Sequence, residues 1–218
     1  MDYHDIEKLI EEGEGFRIEF KRRISSSEKI AKAMIAFANT KGGHLLFGVG
    51  DDGAIVGVES EKTEVELIHL AGIHYCEPPI RPDIQIVPFD GKDVIVAVVG
   101  ESSEKPHMFL GEEGEENGQG TRVYIRVKDK TVIASKEVVK LLRDERLDAP
   151  PLSISIGQNE RMLLRYLDEN ERITLKEFSK LVNISERRAS RILVRLVRAG
   201  VVRIHSLEKE DFYTLAYD

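Results

Sequence analysis

Among its 218 residues the chain has one cysteine, Cys76. No internal disulfide can form, and a reducing cytoplasm is the expected compartment. No apolar run approaches the roughly 18 residues that a membrane-spanning helix requires, so a membrane partner is not expected. The opening stretch, MDYHDIEKLIEEGEG, is acidic and polar. It lacks the basic and apolar segments of a secretory leader. There is no G-x-x-x-x-G-K-[ST] loop to cradle phosphates, no internal repeat, and no Ser-His-Asp arrangement that can be read from spacing. His69, His74 and Cys76 lie close together in IHLAGIHYC. One cysteine without a second ligand pair falls short of a zinc set, so no cofactor is expected there.

What is present suits a globular chain: 41% of residues are hydrophobic and 33% are charged, with a net charge of -7. An acidic total argues mildly against nucleic acid over the whole surface. The charge is unevenly spread, however. Residues 151–218 carry 12 Lys and Arg against 10 Asp and Glu, while residues 1–150 carry 20 against 29. The segment LDAPPLSISIGQ, residues 147–158, separates the two parts as a linker, because Pro150 and Pro151 stop the preceding helix. The patch GEEGEENGQG, residues 111–120, cannot bury a face and is expected to be a loop.

The first part reads as mixed helix and strand, in the order β-α-β-β-α-β-β-β-α. DIEKLIEEG is a short helix ending at Gly13. FRIEFKRR alternates Phe16, Ile18 and Phe20 against polar residues, as a half-buried strand does. SEKIAKAMIAFANT carries Ile30, Met34 and Phe37 as a helical stripe behind the possible caps Ser25, Ser26 and Ser27. HLLFGV and AIVGV read as short strands around a tight turn. DIQIVPFDGKDVIVAVV is a hairpin turning near Asp90-Gly91. The fold class this predicts is α+β.

GGHLLFGVGDDGAIVGV contains G-x-G-x-x-G at Gly48, Gly50 and Gly53. A dinucleotide fingerprint needs a helix after the glycines, so that the pyrophosphate sits on its N-terminus. Here the β-branched segment Ala54–Val58 follows, and Asp51 and Asp52 place negative charge where a phosphate would lie. The motif therefore reads as strand, turn, strand.

GEGFRIEFKRRI, IAKAMIAFANTKGGHLLFGVGDDGAIVGV, KPHMF and VYIRVKDKTVIAS together resemble the Schlafen-type AlbA domain, over about residues 1–146. The A-F-A-N-T-x-G-G core is the most specific part. The resemblance implies DNA binding, and such domains have also been labelled divergent ATPases, which leaves an ATP-binding regulator as a weaker alternative. In Schlafen proteins with endonuclease activity three acids form the site. By motif position they fall on Glu14, Glu19 and Asp51. This implies an alternative function, a nuclease dependent on Mg²⁺ or Mn²⁺, with Lys21 neutralising charge on the phosphate and RNA as a further substrate class. Asn39, Thr40, Gly42 and Gly43 also suit a structural role at a helix end.

Residues 159–218 read as three helices and a β-hairpin. NERMLLRYLDEN places Met162, Leu163, Tyr166 and Leu167 on one face. TLKEFSKLVN opens with a capping box, Thr174 and Glu177. ISERRASRILVRLVRAG opens on the cap Ser185 and stops at Gly200. The pattern resembles the winged helix-turn-helix domains of prokaryotic transcription regulators. At about 100° per residue, Ala189, Ile192, Leu193 and Leu196 share one face of the third helix, and Arg187, Arg188, Arg191, Arg195 and Arg198 share another. No acid interrupts the arginine stripe. Ser185 to Arg191 would reach base edges, and Arg195 and Arg198 would meet backbone phosphates. Arg203, His205 and Lys209 lie on the wing and would touch the flank. The expected function is that of a DNA-binding transcriptional regulator on double-stranded DNA, as a homodimer or higher homo-oligomer.

Overall fold

A computed structural model describes residues 3–89, 91–111, 121–145, 152, 155–207 and 209–216. Residues 112–120 of the expected loop, and 147–151, 153 and 154 of the expected linker, lie outside the described residues. The chain divides into two units, 1–134 and 135–218.

The first unit is built on a four-stranded sheet. Its elements are α1 (Tyr3–Glu12), β1 (Ile18–Lys21), α2 (Ser27–Asn39), β2 (Gly43–Phe47), α3 (Glu61–His74), β3 (Cys76–Glu77), β4 (Asp83–Phe89), β5 (Lys92–Val99), β6 (Met108–Leu110), β7 (Thr121–Arg122), β8 (Tyr124–Val127) and β9 (Lys130–Ile133). The main sheet runs β1-β2-β5-β4. β1 and β2 are parallel, joined through α2, and the other pairs are antiparallel. Alternation along the central strands sends side chains to both faces. Leu45, Phe47, Ile95, Ala97 and Val99 join the core under α2 and α3, whereas Leu46, Val94 and Val96 join Ile6 of α1 and Phe20 on the other face. Burial on both faces is why these strands read as unbroken apolar runs. α2 is buried on nearly every side from Ile30 to Asn39, which extends the expected stripe of Ile30, Met34 and Phe37.

Two expectations change here. The segment Ala54–Val58 forms no strand: a single bridge, Val49 to Ile55, remains. Phe16, expected on the inner face of β1, is exposed, because the strand begins only at Ile18.

The Asn39 amide ties this unit together. Its Nδ2 donates to the carbonyls of His107 at 2.9 Å and Tyr124 at 3.0 Å, and its Oδ1 accepts from the His107 N–H at 2.7 Å. Asn39 is 1% exposed, so no water can replace these bonds. His107 is held in turn. Its Nδ1 donates to the Pro78 carbonyl at 2.7 Å, which leaves Nε2 to accept from the Ser102 hydroxyl at 2.7 Å. This is the neutral imidazole, and burial holds the His107 pKa below its ordinary 6.5.

The second unit contains α4 (Lys136–Asp144), α5 (Gln158–Glu169), β10 (Ile173–Thr174), α6 (Leu175–Leu181), α7 (Glu186–Arg198), β11 (Val202–His205) and β12 (Phe212–Leu215). Leu163 and Leu167 of α5, Phe178 of α6, and Ala189, Ile192, Leu193 and Leu196 of α7 form one core with Tyr213 of β12. Met162, expected on this face, is 38% exposed. β11 and β12 pair antiparallel as the wing, and β10 adds a third strand on the far side of β12. The sequence expectation carries the first domain through residue 146, but α4 groups with the second unit and packs on α7.

Asn39→Ala leaves three buried backbone groups unpaired and is expected to lower unfolding stability by about 3 kcal/mol or more. Urea denaturation measures this, and a loss below about 1 kcal/mol would contradict the role given to the amide. A second expectation concerns pH. The unfolded chain takes up the His107 proton near its ordinary pKa and the folded chain resists, so stability is full above that value and falls as pH drops. His44, also lowered by burial, adds the same sign. Stability should fall between about pH 7 and about pH 5, and His107→Gln should make the fall shallower. Equal slopes in the two proteins would contradict this.

Candidate nucleic-acid interface

The helix-turn-helix is formed by α6, a short turn and α7. Thr174 and Glu177 close the capping box of α6, with bonds of 3.3 Å and 2.7 Å. Asn183 takes a left-handed conformation, φ 51°, and the Ile184 N–H donates to the Ser179 carbonyl at 3.0 Å. This turns the chain within four residues into α7, whose Ser185 hydroxyl accepts from the Arg188 N–H. Gly200, φ 67°, ends the helix in the left-handed region that suits glycine.

The apolar face of α7 is consumed by the core, which leaves the arginine face outward. Arg187, Arg188, Arg191 and Arg195 are exposed, and Arg198 is half-buried. The five do not behave alike. Arg195 pairs with Glu160 of α5 at 3.6 Å, and Arg198 pairs with Asp144 of α4 at 3.4 Å. Among the described residues, Arg187, Arg188 and Arg191 take part in no ion pair. The free cations thus sit in the N-terminal half of the helix, together with Ser185.

α4 flanks this face. The Ser135 hydroxyl caps α4 at Val138 and donates to the Asp211 carboxylate at the foot of the wing. Burial raises the Asp211 pKa above its ordinary range, against the lowering effect of hydrogen bonds from Ser135 and Ser206. The Ser190 hydroxyl donates to Glu137 at 2.5 Å and accepts from Lys140 at 2.6 Å, which fastens α4 to the middle of α7. Lys140 and exposed Arg143 are cationic residues beside the stripe that the sequence reading does not include. Their i, i+3 spacing puts them on one face of α4, but only the packing on α7 brings them to the site.

On the wing, Arg203 is exposed and donates to the Ala216 carbonyl at 3.1 Å. Lys209 is exposed. The His205 ring stacks on Phe212 with centroids 4.7 Å apart, and its Nε2 meets the Thr214 hydroxyl at 3.0 Å, so the packing of the wing holds it. Exposed Arg172, over the Phe212 ring at 5.3 Å, is a further cation absent from the sequence reading.

In the first unit, two of the three acids are engaged by the fold. Glu14 accepts from the Phe20 N–H at 2.8 Å. Glu19 lies between Arg126 at 2.5 Å and Lys21 at 2.6 Å. Arg126 is 3% exposed. It also donates to Thr131 and to the carbonyls of Gly15 and Asp129, so it is no part of a surface that could attract nucleic acid. Asp51 is exposed in the turn. Among the described residues no group of three or more His, Cys, Asp or Glu could hold a metal ion. His69 and His74 are exposed on α3, and Cys76 is buried. The glycine loop closes on itself. The Val56 and Gly57 N–H groups both donate to the Gly48 carbonyl at 2.9 Å, and the Asp52 carboxylate accepts from the Ala54 N–H at 3.0 Å. A Cβ on Gly48 would lie 2.9 Å from the Gly57 backbone, so the loop has no room for a phosphate between these strands of chain.

Residues 14–135 match the family model described as Schlafen, AlbA_2, and residues 157–203 match the one described as winged helix-turn-helix DNA-binding. No curated protein matches the chain. Two of the solved structures similar to it are as follows. One is the N-terminal domain of a Nitrosomonas europaea protein described as related to the ATP-dependent DNA helicase RecG. It is 26% identical, over 56% of this chain and 88% of that one, with a TM-score of 0.42. The other is the DIP2311 protein of Corynebacterium diphtheriae, 15% identical, over 88% of this chain and 36% of that one, with a TM-score of 0.49. The chain therefore spans little more than a third of the second structure's length.

Glu19→Gln strips the buried Arg126 guanidinium of its counter-charge and is expected to lower stability by about 3 kcal/mol, whatever its effect on any activity. Asp51→Asn, in an exposed turn, should stay within about 0.5 kcal/mol of the parent. Chemical denaturation of both variants checks this. A neutral Glu19→Gln would show that the pair with Arg126 does not support the fold.

Proposed function

Given that the chain belongs to the Schlafen, AlbA_2 family, by its match over residues 14–135, and carries a winged helix-turn-helix DNA-binding domain, we propose that it is a transcriptional regulator that reads double-stranded DNA through α7. One observation carries the reading. Arg187, Arg188 and Arg191 are exposed, acid-free and unpaired among the described residues, on the helix that follows the turn. A helix of this kind fits the B-DNA major groove, about 12 Å wide. Ser185, Arg187, Arg188 and Arg191 face base edges and neighbouring phosphates. Arg195 and Arg198 hold their pairs with Glu160 and Asp144 and act at the backbone. Arg203 and Lys209 of the wing meet the flanking phosphates.

A single helix reads only a half-site, so the working form is a homodimer on paired half-sites in the cytoplasm. The first unit then supplies the further contacts, the self-association or the sensing. The metal-dependent nuclease reading draws less support. Glu14 already accepts a backbone N–H and Glu19 lies in the ion pairs with Arg126 and Lys21, so the fold competes with Mg²⁺ or Mn²⁺ for both carboxylates.

Titration of the full chain on duplex DNA at several salt concentrations tests the proposal. Arg188→Ala combined with Arg191→Ala should weaken binding by about tenfold or more and reduce the slope of log K against log salt by about 2. Unchanged affinity and slope would refute the role of α7.

A further inference from the structure

Within the second unit, α4, the start of α5 and α7 line an open cleft of about 850 Å³. That is the size of a small-molecule site rather than of a duplex groove. Five cationic side chains line it: Lys140 and Arg143 from α4, and Arg188, Arg191 and Arg195 from α7. The acids of the lining are Asp144 and Glu160. Both are already occupied, Asp144 by Arg198 at 3.4 Å and Glu160 by Arg195 at 3.6 Å and the Gly157 N–H at 3.1 Å. Lys140 has a partial partner in Glu137 at 3.7 Å. Arg143, Arg188 and Arg191 have no ion pair among the described residues. A concave site with this excess of one sign holds its cations against mutual repulsion and draws in a counter-charge.

We infer that this cleft binds a small ligand bearing two or more linked phosphate groups. A single phosphate is too short for the lining. Arg188 and Arg195 are two helical turns apart, about 10 Å along α7, with Arg191 between them, and Lys140 and Arg143 line the cleft from α4. A chain of phosphates spans that length and meets both walls, with arginine forks that match phosphate oxygens. The ligand shares Arg188 and Arg191 with the DNA-reading face, so its binding and that of duplex DNA exclude each other. This second statement rests on the proposed function of α7, whereas the occupancy of the cleft does not. The consequence is a regulator whose hold on DNA falls as the concentration of a polyphosphate ligand rises.

Calorimetric titration of the full chain with ATP, inorganic tripolyphosphate and AMP tests the cleft directly. ATP and tripolyphosphate should saturate one site, and AMP should bind about tenfold or more weakly. Tighter binding of ATP than of tripolyphosphate assigns the site to nucleotides, and equal binding assigns it to the phosphate chain alone. Both outcomes uphold the inference. Arg143→Ala, on α4 beside the arginine stripe, should weaken both ligands by about tenfold and weaken duplex binding by a smaller factor than Arg191→Ala does. Arg191→Ala should weaken ligands and duplex alike. The inference is overturned if neither polyphosphate saturates, if AMP binds as well as they do, or if Arg143→Ala changes nothing. Polyphosphate binding without duplex binding would leave the cleft standing and remove the DNA reading. Duplex binding that depends on Arg188 and Arg191, without polyphosphate binding, would do the reverse.

Discussion

The first unit depends on one buried amide. Asn39 closes α2, a helix with almost no free face, and its three hydrogen bonds reach the segment at His107 and the strand at Tyr124. Each partner is a backbone group that secondary structure does not satisfy at that point. A buried donor or acceptor without a partner costs about 1–3 kcal/mol, so the amide decides where two distant stretches of chain may lie. The Glu19–Arg126 pair does the same work further along β8, fastening the first strand to the last hairpin. Through these two contacts the segments IEFK, AFANT, KPHMF and YIRV, scattered over more than a hundred residues, meet around α2. Their combination is a signature of packing.

The second unit rests on a different constraint. α7 must satisfy a core on one face and leave charge on the other, and no residue of its arginine stripe can turn inward. The stripe is graded. Toward its C-terminal end Arg195 and Arg198 are fixed by Glu160 and Asp144, which sets the helix rigidly against α5 and α4. Toward its N-terminal end Arg187, Arg188 and Arg191 remain available. A helix held at one end and chemically free at the other suits recognition, because the cations reach a ligand without first breaking a contact of their own. α4 adds a wall beside the same face, so the surface proposed to meet DNA also borders a positively charged cleft.

Much of this was legible in the sequence. The capping box at Thr174 and Glu177, the cap Ser185 and the stop at Gly200 are local rules, and local rules survive folding. HLLFGV is a short apolar run bounded by glycines, and β2 forms there. What failed was tertiary. Ala54–Val58 has the composition of a strand, but the Gly48 and Gly57 backbones approach too closely for a ladder to extend. Met162 lies at the edge of the face that carries Leu163 and Leu167 and stays 38% exposed. Glu19 is an acid at a family position, and nothing in its surroundings along the chain announces that Arg126 would claim it. α4 has the periodicity of an amphipathic helix, but its place on α7 depends on Ser190, fifty-odd residues further on, so Lys140 and Arg143 escaped a reading made one element at a time.

The central claim is that α7 enters the duplex, and site-directed cleavage tests it most directly. The chain's only cysteine, Cys76, is buried, with its thiol pushed up to about 12. A cysteine introduced by Arg187→Cys can therefore be labelled selectively with a chelated iron that cuts nearby DNA strands. With the protein bound, cuts should cluster within a few base pairs of each half-site, offset between the strands as expected from a source in the major groove. Cuts that are absent, or spread evenly along a saturated duplex, would contradict the account.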